Sequence, residues 1–324
     1  MHLLIDTDWL MADPARHGLH GPTDSVLMTI LKGWQEAPPD GRAPDAAEPE
    51  WLDLNTPLEQ LWANAASLRA ADGLLPWAAW VARQDGLMTP PPAHPGSGLG
   101  LLTPVHWQVG ADRVTLIGPE ALDLDEQDRA DLHEVLAASL QAAGWALHRG
   151  RRHWFVSADE LAALPTASLG RVISRAIDPW LPNQPEARRL RRLQLEVQMA
   201  LHDHPMNERR ETRRQLPVNS FWLSGTGAMP EPDRIEPNDL VIAAPGLPGP
   251  DLAEQLQTLL NAAAQQRPAR LTLCGASRTL TLTPPAPPSW LRRQLEPLQR
   301  WRARPDAAAL RQIQRRWLER LSQL

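Results

Sequence analysis

Two hydrophobic periods that no single kind of element can satisfy run through this chain. Arg270–Thr283 alternates apolar and polar residues, with Leu271/Leu273 and Leu280/Leu282 on either side of Gly275-Ala276-Ser277, the pattern of a β-hairpin. Glu186–Leu201 instead sets Leu190, Leu193, Val197 and Leu201 on one stripe at helical spacing, with Arg188, Arg189, Arg191 and Arg192 on its first turns and Pro205 expected to end it. Both patterns recur. His2–Ile5, Leu99–Val109, Arg113–Gly118, Val218–Ser224 and Leu240–Ala244 read as strands, while Asp24–Trp34, Leu58–Ala71, Asp125–Ala143 and Asp251–Ala264 read as helices. Trp145–His148 and His153–Ser157 bracket a hairpin turn at Arg149-Gly150-Arg151-Arg152. Interleaved strands and helices with hairpins among them predict an α/β fold, a mixed sheet flanked by helices. Apolar residues at 310, 313, 317, 321 and 324, opposite Arg311, Arg315, Arg316 and Arg320, predict a C-terminal amphipathic helix.

Composition narrows the function classes. Among 324 residues there is one cysteine, Cys274, which excludes a disulfide framework and any Cys-rich metal site and suits a reducing, cytoplasmic location. No apolar run approaches the roughly 20 residues that span a bilayer, and Met1–Asp6 lacks the basic start of a signal peptide, so no membrane partner is expected. Lys32 is the only lysine, which argues against P-loop and pyridoxal chemistry. With 14 tryptophans and no tyrosine, indoles must supply most aromatic bulk, and each buried indole N–H needs an acceptor. A net charge of −5 gives no general case for a nucleic-acid partner. The charge is segregated: residues 1–60 sum to 3 − 11 = −8 and residues 290–324 to 9 − 3 = +6, which predicts that the two ends meet within or between chains. Pro-rich stretches at 37–50 and 89–98 read as loop and linker, dividing the chain into an acidic α/β part (1–88), a main α/β domain (99–283) and a basic helical tail (284–324).

The most informative motif is Asn219-Ser220-Phe221-Trp222-Leu223-Ser224-Gly225-Thr226-Gly227. A buried strand opening into Gly-x-Gly places backbone N–H groups and hydroxyls where open α/β sheets bind ligands, and predicts an anion cradle; a tight turn needing positive φ is the plainer alternative. His106, in Thr103–Gly110, is read either as a general acid/base or as a rim histidine bonded to backbone. His202-Asp203-His204 offers metal-ligand chemistry at a helix C-terminus, where a histidine is also favoured by the helix dipole alone. Asp178-Pro179-Trp180 reads as a rigid turn with a tryptophan anchor, and Arg209–Arg214 as a solvated face paired with nearby glutamates such as Glu208 and Glu211.

The succession Leu102–Gly110, Thr166–Ile173, Asp178-Pro179-Trp180, His204-Pro205-Met206-Asn207 and Leu216–Gly227 resembles proteobacterial cytoplasmic proteins of the cofactor-independent phosphoglycerate mutase-like, RpfE-type regulatory family, over the middle half of the chain. The mutase side of that resemblance implies an alkaline-phosphatase-like α/β fold, two divalent metals (Mn²⁺ or Zn²⁺) and a transiently phosphorylated hydroxyl. Asp6 and Asp8 fit its first-strand ligands, Thr23 and Ser25 fit the nucleophile by position, and Asp203 and His204 are the other metal candidates. The family's later Asp-x-x-x-His cluster has no counterpart further along the chain. The expectation is therefore a non-catalytic relative without a metal cofactor, binding a small anionic ligand or a protein partner. His106, Arg171, Asn219, Ser220, Ser224, Gly225, Thr226 and Gly227 would form its site. The alternatives are an active 2,3-bisphosphoglycerate-independent phosphoglycerate mutase and an adaptor acting through the basic C-terminal helix.

Overall fold

A computed structural model describes residues 1–12, 26–37, 53–87, 97–230, 240–244, 247, 251–276, 278–285, 316–317 and 319–321, without the side chains at 8, 9, 12, 28 and 32. Thr23, Ser25, most of the two Pro-rich stretches and most of the C-terminal helical period lie outside the described residues. The strands are β1 (His2–Asp6), β2 (Gln35–Glu36), β3 (Gly98–Val109), β4 (Val114–Ile117), β5 (Ala146–Arg149), β6 (Trp154–Ala158), β7 (Ser220–Ser224), β8 (Leu240–Ala243), β9 (Arg270–Cys274) and β10 (Thr279–Thr283). The helices are α1 (Thr7–Ala12), α2 (Val26–Gly33), α3 (Pro57–Ala65), α4 (Trp77–Gln84), α5 (Glu126–Ala142), α6 (Leu169–Val172), α7 (Arg188–His202), α8 (Pro205–Thr212) and α9 (Leu252–Ala264). No helix among the described residues is long and apolar enough to cross a membrane.

Contacts group the chain into two units, residues 1–49 with 239–324 and residues 50–238. This grouping is discontinuous, unlike the linear division drawn at the linkers. β1 carries Leu3, Leu4 and Ile5, all fully buried, and such a run needs a strand on each side. The neighbours come from the far end of the sequence: β8 and β9 pair parallel to β1, Leu3 lying opposite Val241 and Leu271, and α9 makes the crossover between them. β10 turns back antiparallel on β9 and carries the short β2, giving the mixed order β2-β10-β9-β1-β8. The described end of the tail returns to this unit. Leu321 is buried in the same core as Ile30 and Leu282, and Arg320 pairs with Glu36 at 2.5 Å, so basic tail meets acidic N-terminal segment within one chain.

The second unit is organised by the long β3. Its first half pairs antiparallel with β6, its middle with β7 and its end with β4, while β5 joins β6 through the expected hairpin. All five residues of β7 are buried, the apolar Phe221-Trp222-Leu223 at its centre and a serine at each end. Leu132, Leu136 and Leu140 of α5 and Leu190, Leu193, Val197 and Leu201 of α7 pack over Phe221 and Leu223. Pro205 does end α7, and it then serves as the first residue of α8, whose N-cap is His204: the Nδ1 of His204 accepts from Met206 N at 3.2 Å. The arginines of α8 and its C-cap do not pair with the local glutamates, although Arg209 and Arg213 stay partly exposed. Arg209, Arg210 and Arg213 reach Asp131, Asp128 and Asp125 across the gap to α5, and Arg210 is fully buried.

Candidate functional site

The Gly-x-Gly turn lies at the end of a strand whose neighbour β3 runs antiparallel, Leu101 facing Ser224, rather than at the carboxyl edge of a parallel sheet. Gly225 and Gly227 have φ of 64° and 151°, so the turn does need glycine. Its concave side is filled by the chain itself. Ala78 N donates to Gly225 O at 3.0 Å, and a Cβ on Gly227 would stand 2.3 Å from Leu74 O. The Thr226 hydroxyl is fully buried, donates to Leu164 O at 2.5 Å, and lies 2.8 Å from Thr166 Oγ1 and 3.3 Å from Gly73 O.

Gly73 leads into a buried polar junction that the motif reading did not single out. Asn55 Oδ1 accepts from Gly73 N at 2.6 Å while its Nδ2 donates to Glu59 Oε2 at 2.8 Å. Asp72 accepts from Leu54 N and Asn55 N. Thr56 and Glu59 close a capping box at the start of α3, Thr56 Oγ1 accepting from Glu59 N and Glu59 Oε2 from Thr56 N, both at 3.3 Å. The same Oε2 accepts a very short hydrogen bond from Ser168 Oγ. Arg171 is 4% exposed, donates from Nε to Asn55 O at 3.3 Å, and sets its guanidinium over Trp180, 5.9 Å from the ring centroid. The Thr56-x-x-Glu59 motif thus lies where three segments meet, 54–59, 72–73 and 168–171, and it was a readable signal in the sequence.

Burial pushes the Glu59 carboxyl above its ordinary range, against the opposing pull of the hydrogen bonds from Ser168, Asn55 and Thr56 and the charge of Arg171. The folded state therefore holds the Glu59 proton more tightly than the unfolded chain. This group's contribution to stability falls as pH rises from the ordinary carboxylate value through the raised one. Replacing Glu59 with Gln keeps an acceptor for Ser168 and Asn55 and removes the ionisation. In denaturant titrations from mildly acidic to mildly alkaline pH, the stability of the wild type minus that of Glu59→Gln is expected to decline with pH; a flat difference overturns this assignment. Taking the difference cancels His148 and His153, whose pKa values burial lowers and which shift stability with pH in the opposite direction.

Of the remaining expected site residues, His106 and Asn219 are held by backbone. His106 Nδ1 lies 2.8 Å from Pro217 O. Asn219 accepts from Trp107 N at 2.7 Å and donates to Trp107 O at 2.9 Å, so its side chain extends the β3–β7 ladder by one rung. Ser220 Oγ receives Gln198 Nε2 at 3.4 Å, and Ser224 is buried. Arg171 joins Gly225–Gly227 through the junction at Asn55 and Gly73, whereas His106 and Asn219 sit farther along β3, at the Trp107 end of the ladder. Asp203 is exposed beside His202, His204 caps α8, and Asp6 belongs to the other unit with Asp8 next but one to it. Among the described residues, no three His, Cys, Asp or Glu side chains converge in a way that would hold a metal ion. Trp145 donates to Glu160 and Trp222 to Ala167 O, both at 2.8 Å; the buried N–H groups of Trp62, Trp80 and Trp107 find no acceptor among the described residues.

No protein-family model matches the chain, and a search of curated proteins finds no match. Among solved structures, the chain is similar to a cofactor-independent phosphoglycerate mutase from Thermoplasma acidophilum DSM 1728, with a TM-score of 0.32 and 11% identity over 87% of this chain and 88% of that one.

Proposed function

We propose that this chain is a cytoplasmic regulatory protein of the phosphoglycerate-mutase-like kind, acting by binding a protein partner and not by two-metal turnover. One observation carries the reading: among the described residues, the hydroxyls and the glycine turn of the expected site already serve the fold. The Thr226 hydroxyl is spent on Leu164 O, Ser168 on Glu59, and the inside of the Gly-x-Gly turn on residues 74–78. A nucleophile has to be free to attack, and a cradle has to be open to its anion. Metal analysis and assay of the purified full chain test the reading. The expected result, with Mn²⁺ or Zn²⁺ supplied, is no interconversion of 2- and 3-phosphoglycerate and no stoichiometric tight metal. Tightly held divalent ions together with an activity lost in chelator would overturn it.

A further inference from the structure

α7 carries apolar side chains on two sides, and the core takes up one of them. Leu190, Leu193, Val197 and Leu201 are buried against β7 and α5. Leu195 and Met199, four residues apart and therefore neighbours on the helix surface, stand 58% and 72% exposed. Among the described residues, the only other large apolar side chain so exposed is Val109, at the end of β3. A Leu–Met pair presented to water on a regular helix is a surface whose burial against another apolar surface is favourable.

The charges on the same stripe are ordered. Helical spacing continues it to the exposed Arg188 and Arg192 on the N-terminal side and to the exposed His202 on the C-terminal side, with Asp203 at the C-cap beside it. Arg192 stays 81% exposed while it pairs with Glu196 at 2.8 Å, and Asp203 is 95% exposed with His202 Nε2 at 3.8 Å. Arg189 and Arg191 are directed elsewhere, to Glu160 and to Pro182 O. The stripe thus runs from arginine through Leu195 and Met199 to aspartate. Arginines at a helix N-terminus and an aspartate at its C-terminus oppose the helix's own dipole, so this order does nothing for the stability of α7 by itself.

We infer that this face of α7 docks a second copy of the chain, helix antiparallel on helix about a two-fold axis. Leu195 of each copy then meets Met199 of the other, and the same register carries Arg192 opposite His202, next to Asp203. Each arginine-bearing first turn also comes against the negative end of the other helix dipole. A parallel pairing would instead set arginine on arginine. An unrelated protein suits the face less, because nothing in such a partner requires α7 to be complementary to itself. With two apolar residues from each copy the interface is small, and the dimer is accordingly weak and concentration-dependent. The inference goes beyond the partner-binding role proposed above and does not rest on it.

Sedimentation equilibrium of the full chain, at concentrations up to its solubility limit, tests this. The expected result is a reversible monomer–dimer equilibrium whose dissociation constant rises at least about tenfold in Leu195→Glu/Met199→Glu. Val109→Glu, the same change at the other exposed apolar site, is expected to associate as the wild type does. Charge exchange reads the direction of the helices. Arg192→Glu and Asp203→Arg are each expected to weaken the dimer and the two together to restore it, as the antiparallel order requires and a parallel one does not allow. All five sites are exposed, and circular dichroism verifies that each variant is folded. A wild type that stays monomeric throughout, a dimer indifferent to Leu195→Glu/Met199→Glu, or charge variants that show no rescue overturns the inference. None of these outcomes bears on the absence of two-metal turnover, which the metal analysis and the phosphoglycerate assay decide separately.

Discussion

Arg210→Met is expected to destabilise the second unit by about 3–5 kcal/mol, the cost of stranding a buried charge. Arg210 and Asp128 have side chains 0% and 1% exposed, and Arg210 Nη1 meets Asp128 Oδ2 at 2.5 Å. The remaining donors of the guanidinium satisfy Leu122 O and, at 2.8 Å from Nε, Leu216 O. Met fills similar space, but it leaves a carboxylate and two carbonyls in the interior with no donor. Removing both charges is a different experiment. Arg210→Met/Asp128→Leu no longer buries a charge and is expected to recover most of the loss, since a buried pair often contributes little net stability over an apolar replacement. Thermal melts followed by circular dichroism should show the single variant lower by roughly 10 °C and the double variant close to wild type. A double variant as unstable as the single one would mean that the carbonyl contacts, and not the charge pair, dominate.

That pair also marks where the sequence stops being readable. Periodicity found the elements: α5 begins after the Asp125 cap and ends before Gly144 at φ 76°, and the Arg270–Thr283 hairpin forms, Leu273 opposite Leu280 and Leu271 opposite Leu282. Such elements follow local rules, in which a residue's neighbours in sequence are its neighbours in space. The partners of α8's arginines lie about eighty residues away on α5, and local charge counting assigned them to the nearest glutamates instead. The two parallel neighbours of β1 are equally non-local, which is why linkers could not reveal that the first and last segments share one sheet.

The candidate site divides along the same line. That Gly225 and Gly227 need unusual backbone angles follows from Gly-x-Gly itself, and a capping box at Thr56-x-x-Glu59 follows from its spacing. What occupies the turn does not follow. An open cradle and a turn packed on its own chain share one sequence, because the difference lies in Leu74–Ala78, some 150 residues earlier. Arg171 was expected among the site residues, and the structure holds it through Asn55 O and the Trp180 ring.

Gly227→Ala is accordingly expected to cost about 2–5 kcal/mol, nearly as much as breaking the buried ion pair. At φ 151° an L side chain is strained whatever the space around it, a penalty of roughly 1–3 kcal/mol. Here the space is also taken: the added Cβ would lie 2.3 Å from Leu74 O and 3.2 Å from Pro76 N, backbone atoms that cannot swing aside as a flexible side chain would. Relief requires moving the 74–78 segment, and that segment carries the Ala78–Gly225 hydrogen bond and leads into Trp77 and Trp80, which stack at 4.6 Å. Gly144→Ala is the matched control. Gly144 also has a positive φ, 76°, but nothing lies within 4 Å of its added Cβ, so that variant carries the strain without the collision and should lose only about 1 kcal/mol. Denaturant midpoints for the two variants, with the change in tryptophan fluorescence recorded alongside, separate the cases. If Gly227→Ala proves no worse than Gly144→Ala, the turn has room beside Leu74, and the argument that the chain fills its own cradle fails with it.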